Sequence, residues 1–175
     1  DSAQQVATLI AEVDASKVTT VAWVSKEATL AGALVALSCD RIFLADHAAI
    51  GNIDLKVMRL NHGELMAPAD EVNPDDLQRL VTVIKSIAKR RNRSGSLIQA
   101  MADSSQPVFQ VTHRESGRVA WMNDQELASQ PEEWTKGPVI PETTGGSLLV
   151  LDAKRAHELG LTESPCHDFE ALRTR

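Results

Sequence analysis

The sequence predicts an α/β fold with a small α+β, hairpin-containing appendage, and three observations carry that expectation. In the first half, short β-branched apolar runs alternate with segments of helical spacing, the mark of strands and helices packed in layers. The segment from Asp76 to Arg91 places Leu77, Leu80, Val81, Ile84, Ile87 and Ala88 on one helical face. Between 107 and 122 the pattern changes: Val108–His113 and Arg118–Met122 flank Glu115-Ser116-Gly117, a hairpin signal.

The elements follow in order. Ser2 and Gln5 have capping-box spacing, and Val6, Leu9, Ile10 and Val13 continue it, so a helix over 4–13 is expected with its start at residue 1. Thr19–Val24 reads as a buried strand, Ser25–Thr29 as a short polar turn, and Leu30–Ser38 as a buried helix of small apolar residues. Arg41–Leu44 and Ala48–Gly51 are two further short strands. Val57–Val72 has no periodicity, contains Pro68, and reads as loop. Asn73-Pro74-Asp75-Asp76 opens the long helix: Asn is a good N-cap, Pro suits the first turn, and acids face the positive end of the dipole. A shorter helix is expected over Ser96–Met101, and another from the Asn123–Glu126 capping pair to Gln130. Gly137-Pro138 through Gly145-Gly146 reads as loop and turn. Leu148–Leu151 is a strand, after which Asp152 caps a helix that Gly160 ends. The expected organisation is a core over 1–105, an insertion or appendage over 106–146, and a return to the core over 147–175. Thr19–Val24, Arg41–Leu44 and Leu148–Leu151 are expected to share one sheet.

The chain of 175 residues, 43% hydrophobic and 24% charged, suits one domain with its own core. Its net charge of −6 disfavours nucleic acid as a general partner. The local basic run Lys85, Lys89, Arg90, Arg91, Arg93 reads as a solvated helix face and its exit loop. Cys39 and Cys166 are expected to be free thiols. No apolar run approaches the roughly 18 residues of a membrane span, and residues 1–5 have no signal-peptide character. Any membrane anchor is expected outside this chain.

The stretch from Val21 to Asp54 resembles the core of the ClpP/crotonase superfamily. Ala31-Gly32-Ala33, then Ser38-Cys39-Asp40-Arg41-Ile42, then Ala48-Ala49-Ile50-Gly51 match its strand, small-residue helix, Asp step and Ala-x-x-Gly turn in order. Leu151-Asp152-Ala153 through Gly160-Leu161 is similar to the segment that closes that domain. Ile84-Lys85-Ser86-Ile87-Ala88-Lys89 and the 107–146 segment resemble the NfeD and signal-peptide-peptidase-A type of membrane-associated serine peptidase. The resemblance implies a ClpP/crotonase-like ββα core, incomplete at its N-terminus.

The resemblance also assigns catalytic positions. The family serine falls on Leu30, in Thr29-Leu30-Ala31-Gly32, and leucine has no nucleophilic atom. The family lysine falls on or near Asp75; no lysine lies between Lys56 and Lys85, and Arg79 cannot serve as a base. The oxyanion turn of the family would precede Asp1. Thr29, adjacent to Leu30, and Ser25 are weak rescue candidates; Thr29 is rotated by about 100° from the nucleophile's direction, and Ser25 and Lys26 suit a turn. Ser38 is a further hydroxyl near the site, and Cys39 reads as an inert core thiol. His47, His62, His113, His157 and His167 have no metal-ligand spacing, and neither metal nor cofactor is expected.

Three functions remain open. The first is a peptidase-like domain without hydrolytic activity that binds a partner or assembles, in membrane-protein quality control. The second is an active membrane-associated endopeptidase with an unrecognised nucleophile. The third is a crotonase-type CoA-ester enzyme, against which Asn52-Ile53-Asp54 stands where a Pro-Glu pair is expected. By resemblance, the partner is a peptide or membrane-protein segment, the chain forms homo-oligomers, and it works on the extracytoplasmic (periplasmic) side of a bacterial membrane.

Overall fold

The computed structural model describes residues 2–56, 60–61, 64–65 and 72–173. The capping pair at Ser2 and the start at residue 1 fall outside the described side chains, as does most of the 57–72 segment. Within the latter, Leu60–Asn61 and Glu64–Leu65 form a two-residue antiparallel ladder, so the loop expected there contains strand.

Helix α1 (Ser2–Glu12) leads into β1 (Val21–Val24), which pairs in parallel with β3 (Arg41–Leu44). Between them come β2 (Glu27–Ala28) and α2 (Leu30–Ser38). The expected turn over Ser25–Thr29 is therefore only Ser25-Lys26 before the chain re-extends. Strand β4 (Ala49–Gly51) pairs in parallel with β2 and antiparallel with β10 (Val150–Asp152).

The expected single sheet is thus two. Val21 faces Arg41 across the first ladder, an offset of 20, whereas Glu27 faces Ala49, an offset of 22. The outer strand carries two extra residues through the turn at Asp46-His47, and an excess on one strand bends a sheet. Ala45 N–H closes the first ladder on Val24 O (2.9 Å), and Ala49 N–H opens the second on Lys26 O (2.9 Å). The final strand joins the second sheet.

Helix α3 (Pro74–Arg90) starts as its sequence requires: Asn73 Oδ1 accepts from Asp75 N–H at 2.9 Å. Leu80, Val81, Ile84, Ile87 and Ala88 are buried on its inner face. Leu80, Ile84, Ile87 and Ala88 pack in one core with Leu34 and Leu37 of α2, Ile42 and Leu44 of β3, Ile50 of β4, and Leu97 and Ile98 of α4 (Gly95–Ala100). Strands β5 (Leu60–Asn61) and β6 (Glu64–Leu65) precede α3.

The segment after 107 makes its own three-stranded antiparallel sheet. Strand β7 (Val108–His113) is central, flanked by β8 (Val119–Asn123) and β9 (Trp134–Val139). Helix α5 (Asp124–Ala128) follows β8, with Asn123 Oδ1 accepting from Glu126 N–H at 2.8 Å. Val111, Met122 and Trp134 form a small second core. Strand β9 corrects the loop expected at Gly137-Pro138. An edge strand tolerates a proline, and Gly137 is needed for closeness: a Cβ there would lie 2.8 Å from Gln110 O. Helix α6 (Ala153–Glu158) is capped by Asp152 and ends before Gly160 (φ +72°), and α7 (Phe169–Arg173) is the last helix among the described residues.

The basic run corrects another expectation. Lys85, Lys89 and Arg90 are exposed, but Arg91 and Arg93 turn inward. Asn92 takes a left-handed conformation (φ +51°), and Arg93 N–H reaches back to Ala88 O (2.9 Å), a Schellman ending. This reversal sends the two flanking guanidiniums to the C-terminus of α2. Arg93 donates to the carbonyls of Leu37, Cys39 and Asp40 (2.8, 2.8 and 3.0 Å) and of Leu161 (3.2 Å). Arg91 donates to Ser38 O (2.6 Å), Ile10 O (2.7 Å) and the Asp40 carboxylate. Asp40 also accepts from the Thr20 backbone and hydroxyl (2.7 and 2.6 Å).

Arg93→Lys should lower unfolding free energy by about 3 kcal/mol, because one ammonium cannot reach four buried carbonyls. Urea unfolding checks this, with Arg90→Lys as a near-neutral control. Asp40 supplies a pH signature. Burial alone would raise its pKa, but the Thr20 donors and Arg91 outweigh burial and hold it below the usual carboxylate range. Its stabilising contribution is therefore complete above the ordinary value of about 3.9 and lost as pH falls through the depressed one. Asp40→Asn should cost about 3 kcal/mol at neutral pH, and the gap to wild type should narrow only below about pH 4.

Candidate functional site

The position assigned to the nucleophile sits where a strand becomes a helix within one residue. Thr29 is still extended (φ −123°, ψ 165°), and its carbonyl already accepts from Gly32 and Ala33 N–H (2.9 and 3.3 Å). Leu30 makes the turn with φ +52°. A left-handed leucine costs on the order of 1–3 kcal/mol and persists only where surroundings enforce it. Sharp strand-to-helix turns of this kind project a side chain from the end of a sheet.

The enforcing surroundings are backbone. Leu30 N–H donates to Asn52 O (2.9 Å), and Asn52 is itself left-handed (φ +50°), a conformation asparagine tolerates. Asn52 N–H donates to Leu149 O (3.0 Å), Ile53 N–H to Met101 O (2.7 Å), and Leu149 N–H to Ala100 O (2.9 Å). Four segments distant in sequence are thus stitched at the start of α2. Gly51 (φ +142°) permits the stitch, since a Cβ on it would lie 2.2 Å from Leu149 O.

The candidate side chains are placed as follows. Leu30 is half-buried and packs against the main core. Thr29 is half-buried and makes no capping hydrogen bond. Ser25 is exposed. Ser38 lies at the opposite end of α2, about 12 Å along the helix, with its hydroxyl donating to Leu34 O (2.8 Å). Asp75 is exposed in the first turn of α3, at the favourable end of the dipole. Lys85 lies ten residues further, about 15 Å along that helix.

Other reactive groups have structural partners. Burial pushes the Cys39 thiol above its usual pKa, with Arg91 and Arg93 opposing, so it is a poor thiolate. His113 packs edge-on against Trp134 (5.0 Å), His157 Nδ1 meets Thr162 O (3.1 Å), and His167 Nδ1 meets Asp46 Oδ2 (2.9 Å). His62 lies outside the described residues. Asn52 reads in sequence only as standing where a Pro-Glu pair is expected, which misses its left-handed conformation. Its signal was an asparagine directly after a glycine, the pair that most readily adopts positive φ.

No protein-family model matches the chain, and no curated protein matches it. Two solved structures do. One is 1510-N, a membrane-bound stomatin-specific protease, as a serine-to-alanine mutant: TM-score 0.59 at 16% identity, covering 99% of this chain and 61% of that one. The other is a lysine-to-alanine mutant of that protease in complex with a substrate peptide: TM-score 0.57 at 16% identity, covering 97% and 57%. This chain therefore spans about three fifths of the length of those structures. At this identity the likeness establishes the fold alone, a ClpP-like mixed α/β fold.

Gly51→Ala should cost several kcal/mol or prevent folding, because the added methyl meets backbone and the φ is unavailable to alanine. Leu30→Ser removes only a half-buried side chain and should cost about 1–2 kcal/mol. Thermal unfolding of the two variants side by side checks the contrast.

Proposed function

We propose that this chain is a serine-peptidase-like domain that holds peptide segments without hydrolysing them. The observation that carries the reading is the strained strand-to-helix junction occupied by Leu30, whose side chain packs into the core. A protease must lower its barrier by well over ~10 kcal/mol. Nucleophile, base and oxyanion donors achieve that as a unit, and losing one member forfeits most of the effect. By resemblance the base position falls near Asp75, an exposed carboxylate at a helix N-terminus.

Peptide holding is the function that survives loss of a nucleophile, since binding rests on shape and backbone pairing. The substrate peptide bound to the similarly folded protease supports this choice of ligand. That neighbour is membrane-bound, and we extend the reading to a homo-oligomer on the extracytoplasmic side of a bacterial membrane. There it would act in membrane-protein quality control, attached through segments outside this chain. Among the described residues, no helix is long and apolar enough to cross a membrane.

The test combines a fluorogenic-peptide assay, fluorophosphonate labelling, and fluorescence anisotropy with a labelled apolar decapeptide. Saturable binding with neither turnover nor labelling is expected, and Leu30→Ser alone should remain inactive. Sedimentation should show an oligomer at micromolar concentration. Labelling of Thr29, Ser25 or Ser38 that disappears on mutation to alanine would establish an active endopeptidase with a relocated nucleophile. Failure to bind the decapeptide would reject the holding role.

A further inference from the structure

A cavity of about 480 Å³ opens where α3, α4 and α5 meet. None of its lining residues belongs to the Thr29-Leu30 junction or the Gly51-Asn52 turn. One wall is the last turns of α3, with Lys85 and Lys89. The floor is α4, with Ser96 and Gln99. The opposite wall includes Gln125 and Gln130.

Charge and hydrogen-bonding capacity select the ligand. Lys85, Lys89 and Arg93 against Glu126 leave the lining at 3 − 1 = +2, in a chain whose net charge is −6. Arg93 is committed to the carbonyls at the end of α2. Glu126, the one acid of the lining, accepts from the Ser96 hydroxyl (2.5 Å). Lys85 and Lys89 have no ion-pair partner among the described residues, whereas neighbouring Arg90 reaches Glu12 (4.0 Å). Gln99 is 6% exposed, and its Oε1 has no hydrogen-bond partner among the described residues. Buried amide oxygens without partners are rare, and a peptide N–H is a donor that a rotation of this amide could satisfy.

We propose that this cleft docks an extended acidic peptide segment, with Lys85 and Lys89 taking carboxylates two residues apart. The spacing supports the match. Residues i and i+4 of a helix hold their Cβ atoms about 6 Å apart, and alternate residues of an extended chain project to one side about 6.6 Å apart. The side-chain amides donate and accept, as a peptide backbone requires. A bilayer is flat and does not reach a concave floor, and the acidic remainder of the chain repels nucleic acid.

The experiment is fluorescence anisotropy of the full chain with fluorescein-labelled Gly-Glu-Gly-Glu-Gly-Glu. Saturable binding is expected, weakening from about 50 to about 300 mM salt. Lys85→Glu with Lys89→Glu, both exposed, should weaken it at least about tenfold while leaving the unfolding transition and apolar-decapeptide binding in place. Gln130→Lys, which adds charge at the rim, should tighten it. Unchanged affinity in the double variant would overturn the proposal. So would equal binding of Gly-Lys-Gly-Lys-Gly-Lys, or a preference for phosphatidylserine vesicles over the acidic peptide. Because the apolar decapeptide reports separately on the peptidase-like site, the two readings fail independently.

Discussion

Two guanidiniums at the end of one short helix hold the core in register. An α-helix leaves its last carbonyls without partners, and α2 ends in the interior, where water cannot supply them. Ser38 and Cys39 are buried there. Arg91 and Arg93 supply the donors, and their charge in turn is met by Asp40, whose side chain is only 14% exposed. A buried charge without a partner costs several kcal/mol, whereas a fully hydrogen-bonded one is tolerated. The same cluster reaches α1 through Ile10, the residue before β1 through Thr20, and the C-terminal segment through Leu161. Both ends of α2 are therefore pinned by polar groups, the far end by arginines and the near end by the Gly51-Asn52 turn. Its small apolar residues fill the space between without having to specify direction.

Pinning both ends explains how Leu30 can remain left-handed. Nothing in leucine favours φ +52°. Backbone bonds from Asn52, Leu149, Met101 and Ala100 over-determine the junction, so its geometry does not depend on which side chain is placed there. A sharp turn of this kind is useful to a nucleophile, which it projects and exposes. It is of no evident use to a leucine that packs back on the core. The strain and the side chain are thus independent: the backbone has the form of a sharp strand-to-helix turn, and the residue on it has the chemistry of a packing contact.

Much of this was legible in sequence because it is local. The α3 start at Asn73-Pro74-Asp75-Asp76, the α6 cap at Asp152 and stop at Gly160, and the β7–β8 hairpin each depend on a few adjacent residues. The ClpP-like core was legible from residue order at 31–51, which tracks a backbone path. What escaped reading was set by long-range pairing. The split into two sheets arises from a two-residue difference in register between segments 20 positions apart, which no single segment reveals. Gly137-Pro138 carried loop chemistry but lies on an edge strand, where the usual objection to proline does not apply. Arg91 and Arg93 matched a solvated charge run in every local respect. Only the carbonyls of α2, more than fifty residues earlier, distinguish them from Lys85 and Lys89.

That distinction within one basic run separates two kinds of charge. Arg91 and Arg93 are planar donors held in fixed geometry, so their contribution is to stability and is little screened by salt. Lys85 and Lys89 are flexible point charges on a solvated face, which add little to folding. Residues that contribute little to folding are free to be selected for binding. The cleft they border joins the core to the separate β7–β8–β9 sheet, contacted across Ser94 to Trp121 O (2.8 Å) and Asn123 N–H to Ser96 Oγ (2.9 Å). A segment bound there would bridge the two packing units through groups that neither core requires. Because no lining residue is shared between them, the junction at Leu30 and the cleft can be altered separately.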